Sequence, residues 1–430
     1  MPWRTNLAFR ESFSQISIEF LNDLLAEYPK RDFQLVLWDG TVWGEQRRPR
    51  FTVVLRHPGA LRAMFLNPSE LALGEAYIAD DFDIEGDVEA AFDLADYLLG
   101  QERGVWKNVE LAEWLRKLPK SDHARSERRP AKLWGLVHSK NRDRQAIGYH
   151  YDLPTEFYAL WLDERMVYSC ALFATPEDSL ETAQERKLDY ICRKLRLRRG
   201  DCLLDIGCGW GGLLMYAVTH YGVQAMGITL SAPQADLARQ RIRESGLNDR
   251  CRVEVCDYRD LKPSRQYDKL VSVGMFEHVG KALLPQYFTR AWSLVRPGGV
   301  FLNHGIAYSA TYRRRGPSFT DRYVFPDGEI VPISTSLRAA EECGFEVRDV
   351  ESLREHYGLT LHHWLKRLEA GADQVRNIVD DAAYRTWRVQ MAGAAHAFRS
   401  GRLNLYQTLL AKPLRGNSGL PLTREDWYRT

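Results

Sequence analysis

CLLDIGCGWGGL, residues 202–213, decides how the rest of the chain reads. A short, mostly apolar run leads into an acid, Asp205, and the turn behind it carries Gly207, Gly209, Gly211 and Gly212. LLMYAV then follows at helical length. This order predicts a buried parallel strand, a tight turn, and a helix whose first N–H groups point back over the strand's end. Glycine has no Cβ, so the backbone of such a turn can approach a ligand closely. Gly207, Gly209 and Gly212 satisfy G-x-G-x-x-G, a weak pattern by itself. Two features argue against a nicotinamide dinucleotide. Asp205 stands where that site wants a small apolar residue. The next strand, QAMGITLS, ends on Thr229, Leu230 and Ser231, without the acid that would hold a ribose. A turn serving only helix–strand packing is the plainer alternative; the strand–turn–helix context favours a nucleotide-like ligand.

At 430 residues the chain can hold two or three domains and bury a large core. Its 45% hydrophobic and 27% charged residues are those of a globular protein, and a formal net charge of +2 leaves no overall nucleic-acid footprint. Seven cysteines, an odd number without paired C-x-x-C spacing, make neither a disulfide framework nor a zinc site, which fits a reducing cytoplasm. MPWRTNLAFRESF has no apolar core of signal-peptide length. No run reaches the roughly 18–20 apolar residues of a membrane span, so a soluble or peripheral protein is expected.

Residues 1–103 read as a small α+β domain. FQLVLWDG and RFTVVLRHPG are strand-like, Asp39-Gly40 and Pro58-Gly59 mark turns, and ALRAMFL and VEAAFDLADYLL are helical. Residues 104–146 carry eleven Lys or Arg against five Asp or Glu, with Trp106, Trp114 and Trp134 interleaved. Such a basic linker is either a solvated charge run or a surface for anionic lipid, where indole sits at headgroup depth.

From 147 to 430, βα alternation takes over. QAMGITLS, CRVEVCD, DKLVSVG, VFLNHGI and GFEVRDVESL read as strands, with helices at PQADLARQRIRESG and KALLPQYFTRAWSLV. The expected fold class is α/β, a doubly wound, mostly parallel sheet with helical insertions, plus the small N-terminal α+β domain. Ligands bind beyond the carboxyl ends of such strands, where Asp257, Tyr258, Glu277, His278 and His304 collect. One acid there is often only a helix N-cap; several together indicate a site. None is spaced like metal ligands on one helix, so no metal is expected. RYVFPDGEIVPIS reads as a lid-like crossing, residues 312–317 as a mobile basic loop, and His362 with His363 as polar filler.

Asp205-x-Gly207-x-Gly209-x-Gly211 resembles motif I of the S-adenosylmethionine-dependent methyltransferases. Six further motifs make the resemblance specific: YDLPTEFYALWLDERMVYSCALF, GITLSAPQ, VSVGMFEHVG, NHGI, FPDGEIVPIS and YGLTLHHW. Together they resemble the cyclopropane-fatty-acyl-phospholipid synthases over nearly all of 140–410, and the N-terminal domain is similar to one found on members that act on phospholipids. The resemblance implies a class I methyltransferase fold and a donor site built from Tyr168, Ser169, Asp205, Gly207, Gly209, Thr229, Leu230, Gln234, Asp257 and Tyr258. It also implies a bound bicarbonate held by Cys170, Glu277, His304, the backbone of Ile306, and Tyr357. The implied substrate is an unsaturated phospholipid, reached by peripheral contact with the inner face of the membrane by a homodimer. Leu359 and His362 depart mildly from the commonest pattern, which touches the shape of the acyl tunnel.

The chemistry explains these groups. An isolated cis alkene is a weak nucleophile, so it must be held in line with the activated sulfonium methyl and kept from water. Attack leaves a carbocation that the faces of Tyr149, Tyr151 and Phe173 could stabilise, at about 1–2 kcal/mol each when desolvated. The proton then lost is acidic enough for a weak base such as bicarbonate. Ring closure is one outcome; a hydride shift before deprotonation gives a methylene- or methyl-branched chain. An amine N-methyltransferase and a non-catalytic lipid carrier are further alternatives.

Overall fold

A computed structural model describes residues 7–44, 47–101, 105–121, 130–262, 266–312, 316 and 318–428. The chain divides into two compact units. The first comprises Met1–Pro130, Arg315–Val324 and Asp380–His396; the second comprises Ala131–Arg314, Phe325–Val379 and Ala397–Thr430.

In the first unit, β1 (Phe33–Val36), β2 (Val42–Trp43), β3 (Phe51–Leu55) and β4 (Phe82–Gly86) form one sheet in the order β2-β1-β3-β4. β1 and β3 are the two strands expected from the sequence, and they run parallel. β4 and the helix Glu70–Ile78 are additions that the apolar pattern hides. Ser69 starts that helix by accepting from the Ala72 N–H at 3.0 Å. Later chain completes the unit. Arg385, only 3% exposed, donates to the carbonyls of Tyr77 at 2.7 Å and Phe82 at 2.6 Å, while Arg388 donates to the Tyr77 hydroxyl at 2.6 Å. The unit is therefore discontinuous in sequence, which no boundary at 103 conveys. The stretch 104–146 also holds more than a linker. The helix Val105–Lys117 belongs to the first unit, with Leu111 and Leu115 buried, and the helix Lys140–Tyr151 belongs to the second. Residues 122–129 of the basic stretch, and 313–315 and 317 of the basic loop, lie outside the described residues.

The second unit is built on a seven-stranded sheet. Its strands are β5 (Cys202–Ile206), β6 (Gln224–Thr229), β7 (Cys251–Val255), β8 (Tyr267–Val273), β9 (Val295–Tyr308), β10 (Glu346–Ser352) and β11 (Leu403–Ala411). They lie in the order β10-β11-β9-β8-β5-β6-β7. β5 pairs in parallel with both β6 and β8, and β11 alone runs against its neighbours β9 and β10. β11, LNLYQTLLA, is the one strand of this sheet not read from sequence, because it follows a long helix and has no turn–strand alternation to mark it. Successive side chains of a strand face opposite ways. Leu203, Val271 and Leu302 accordingly pack on one face against Leu188, Ile191 and Leu214, while Leu204, Leu270 and Phe301 pack on the other against Tyr287 and Phe288. Connections leave β5 toward β6 on one side, and the chain later returns on its other side at β8. That switch point lies at the glycine turn.

Gly227 on β6 faces the same turn. A Cβ there would meet Leu214 Cδ1 at 2.4 Å and Cys208 Sγ at 2.7 Å. Thermal unfolding of Gly227→Ala is expected at a lower midpoint, with a loss of about 1–3 kcal/mol. Gly358→Ala, inside the helix Arg354–Ala370 with nothing within 4 Å of the added carbon, should be neutral or stabilising by up to about 1 kcal/mol. Equal midpoints for the two variants would contradict this packing.

Candidate active site

The glycine turn is held from below by one carbonyl. Ile228 O accepts from both Gly207 N and Cys208 N at 2.9 Å. Gly207 has φ +88°, and a Cβ on it would meet Met275 Cβ at 2.7 Å, so only glycine fits. The helix Gly212–Tyr221 starts directly behind. Over the turn lies a cavity whose walls include Tyr168, Ser169, Asp205, Gly207, Gly209, Thr229, Leu230, Gln234, Asp257 and Tyr258. All ten residues expected for the donor site thus border one space.

Their hydrogen bonds differ in what they leave over. Thr229 Oγ1 donates to Gln234 Oε1 at 2.8 Å, which leaves the amide NH2 as the group available to a ligand. Asp257 receives three bonds from Arg259, through its backbone N–H at 2.9 Å, Nε at 2.8 Å and Nη2 at 2.6 Å. It therefore caps the short turn Tyr258–Asp260 as well as lining the cavity. Asp205 is 3% exposed, and its Oδ1 has no hydrogen-bond partner among the described residues. Burial raises its pKa to about 7, with the nearby Lys187 charge opposing.

Beside this cavity sits the second predicted group. Glu277 Oε1 accepts from the Ile306 N–H at 2.7 Å, and Glu277 Oε2 is buried without a partner among the described residues. Burial lifts its pKa to about 7, against the Ile306 hydrogen bond. His304 is 1% exposed. Its Nδ1 meets Gln407 Nε2 at 3.2 Å, and its Nε2 has no partner among the described residues. Burial holds this imidazole neutral, with the Lys187 and Lys194 charges adding to the effect. Cys170 is wholly buried, which raises its thiol pKa, and Sγ points its weak donor at the carbonyls of Ala171 at 3.2 Å and Leu353 at 3.8 Å. Tyr357 has its pKa raised by burial and then by the nearby Cys170 and Glu277. The Ile306 N–H is thus already committed to Glu277, and the Cys170 S–H to backbone, whereas Glu277 Oε2 and His304 Nε2 are buried without a partner among the described residues.

A chain of aromatic rings runs from the cavity lining to Tyr357. Tyr151 lies 6.1 Å from Tyr168, Tyr168 5.2 Å from Trp364, and Trp364 6.1 Å from Tyr357 between ring centroids. Phe173 instead stacks on His363 at 5.4 Å, so His363 is packing for Phe173. The expected lid does approach. Phe325 sits 4.0 Å from His150 and 5.9 Å from His278, and the Glu329 N–H donates to Glu277 O at 2.9 Å.

Several cavity residues escaped sequence reasoning. Lys187 borders the cavity, as do Asp143 and Arg259, which are joined at 2.8 Å. Gln184 Nε2 donates to the carbonyls of Val167 at 3.2 Å and Ser169 at 2.8 Å, and Lys187 Nζ to Ser169 Oγ at 2.9 Å. A signal was present. Gln184, Lys187, Ile191 and Lys194 recur at helical spacing on the buried face of the helix Leu180–Leu195, and polar residues on such a face need a reason.

Residues 138–408 match the sequence profile of mycolic acid cyclopropane synthetase, and residues 20–97 match a domain of unknown function, DUF7884. The chain is 43% identical over 401 residues to a Pseudomonas putida protein named "Probable fatty acid methyltransferase", covering 92% of this chain and 96% of that one. It is 35% identical over 294 residues to the cyclopropane-fatty-acyl-phospholipid synthase of Escherichia coli (strain K12), covering 68% and 74%. Among solved structures it resembles mycolic acid cyclopropane synthase CmaA1 complexed with SAH and CTAB. That match has a TM-score of 0.59 at 32% identity, over 62% of this chain and 97% of the other.

The raised carboxyls have a thermodynamic consequence. Between the ordinary carboxyl range near 4 and about 7, the folded protein keeps protons on Asp205 and Glu277 that the unfolded chain has lost. Ligand-free stability therefore falls as pH rises through that window. Urea unfolding at pH 5 and pH 7.5 should show the fall smaller in Asp205→Asn by on the order of 2 kcal/mol. An identical fall in variant and wild type would mean that Asp205 titrates normally.

Proposed function

The chain belongs to the mycolic acid cyclopropane synthetase family of S-adenosylmethionine-dependent methyltransferases, and from that premise we propose that it adds a methylene to the cis double bond of an unsaturated phospholipid acyl chain. One observation carries this reading. Beside the donor cavity, Glu277 Oε2 and His304 Nε2 stand buried and unpartnered among the described residues, with the rings of Tyr151, Tyr168 and Tyr357 close by. A soluble amine substrate needs no such dry, aromatic-walled pair. An alkene does, because its cation must be kept from water and stabilised by ring faces.

S-adenosylmethionine supplies the activated methyl. The motif-I turn and the orphaned Asp205 oxygen suit its polar end, and Gln234 suits its ribose hydroxyls. A bicarbonate also fits the chemistry of the second group. His304 Nε2 and the Tyr357 hydroxyl would donate to it, and Glu277, with a pKa near 7, could share its proton; the ion would supply a weak base there. Cys170, kept as a thiol by burial, acts as neutral packing or a weak donor and not as a nucleophile. Access to lipid is supported by the surface at 132–137, where Trp134 and Leu136 are 76% and 84% exposed beside the exposed Lys132. No helix among the described residues is long and apolar enough to cross a membrane. We infer peripheral contact with an anionic leaflet.

A methyl-branched product is the second reading, favoured by the likeness to the Pseudomonas putida protein, a probable fatty acid methyltransferase. The two diverge only after methyl transfer, in whether the cation closes or shifts hydride before losing its proton.

Incubation with S-adenosylmethionine and vesicles of monounsaturated phospholipid should yield lipid heavier by one methylene group, and proton NMR should show ring methylene signals. A branch methyl or exomethylene signal supports the second reading, and an unchanged lipid mass removes both. Glu277→Gln should lower kcat by about 10²–10⁴-fold while leaving donor binding within a few fold.

A further inference from the structure

On the methyltransferase reading above, we propose that Lys187 is a donor-positioning residue: its ammonium, acting with the Ser169 hydroxyl, seats the α-carboxylate of S-adenosylmethionine.

Lys187 is 1% exposed, borders the donor cavity, and makes no ion pair among the described residues. Its one hydrogen bond among the described residues goes to Ser169 Oγ at 2.9 Å, although an ammonium has three donors. Lys194, two turns further along the same helix, shows how this protein treats a buried lysine with a structural role: it pairs with both Asp349, at 3.6 Å, and Glu351. A buried ammonium left unpaired is costly, and an arriving anion removes that cost. Burial brings the Lys187 pKa down to about 8, with Asp163, Cys170 and Asp205 opposing, so the group still carries charge at neutral pH.

Ser169 narrows the choice of anion. Lysine cannot accept a hydrogen bond, so Ser169 Oγ is the acceptor of this pair and its own proton must go elsewhere. Ser169 borders the cavity, and its hydroxyl becomes a donor backed by a buried cation. Gln184 fixes the segment from behind by holding the carbonyls of Val167 and Ser169. In the same cavity, Asp205 offers an unpartnered acceptor oxygen that is equally buried. A buried cation with a donor, together with a buried acid, is the complement of an α-amino acid zwitterion. The donor molecule carries one anionic group, its α-carboxylate, beside an α-ammonium. Bicarbonate is the other source of the same oxyanion chemistry, and the experiment separates the two.

Calorimetric binding of S-adenosylmethionine and of its decarboxylated form would be measured for wild type, Lys187→Met and Ser169→Ala, with and without bicarbonate. Wild type should prefer the carboxylated donor by about 10- to 100-fold. Lys187→Met should lose that preference while holding the decarboxylated form within about threefold, which also reports an intact pocket. Ser169→Ala should lose part of the preference in the same direction. Equal weakening of both nucleosides, or an undiminished preference in Lys187→Met, overturns the proposal. So does bicarbonate competing with the carboxylated donor in wild type but not in Lys187→Met, because the ion would then own the seat. Wild-type protein that binds neither nucleoside overturns the methyltransferase reading itself, and this one with it.

Discussion

A single backbone oxygen, Ile228 O, holds two successive amides of the glycine turn, Gly207 N and Cys208 N. The rest of the site depends on that grip. It ties the end of β5 to the end of β6, forces φ +88° at Gly207, and lets Met275 close against a position where any side chain would collide. The cavity exists because the turn can be neither longer nor bulkier. Asp205, Ser169 and Gln234 face the same space because elements fixed to that turn carry them there.

Dryness is the second organising property. Burial dominates the pKa displacement of Asp205, Glu277, His304, Cys170 and Lys187 alike. The acids are thereby moved toward neutrality, the imidazole is held neutral and the thiol is kept protonated. Electrostatic interactions strengthen where water is absent, and so does the cost of leaving a polar atom unsatisfied. Asp205 Oδ1, Glu277 Oε2 and His304 Nε2 all carry that cost, buried without a partner among the described residues.

The N-terminal unit follows another logic. Its four-stranded sheet is completed by Arg385 and Arg388, from a helix about three hundred residues later, bonding to Tyr77 and Phe82. Pairing a guanidinium with buried carbonyls across that separation makes this unit dependent on the far end of the chain. The basic stretch beside it divides likewise: Leu111 and Leu115 are core, whereas Trp134 and Leu136 face solvent.

The sequence by itself determined the alternating architecture, the glycine turn with its strand and helix, and the residues that gather at the strand ends. All are local patterns: apolar period, turn chemistry and spacing. It could not show β11 slipping antiparallel between β9 and β10, because strand partners are chosen by burial across the whole sheet. Asp257 illustrates the division well. Its place at a strand end was legible, but its three bonds from Arg259 were not. Lys187 illustrates it further: in sequence it is one charge in a charged helix, and only packing removes its water and leaves it without an ion pair among the described residues. Tertiary structure decided which polar groups lost their solvent, since desolvation is a property of all the neighbours together and of no single stretch of chain.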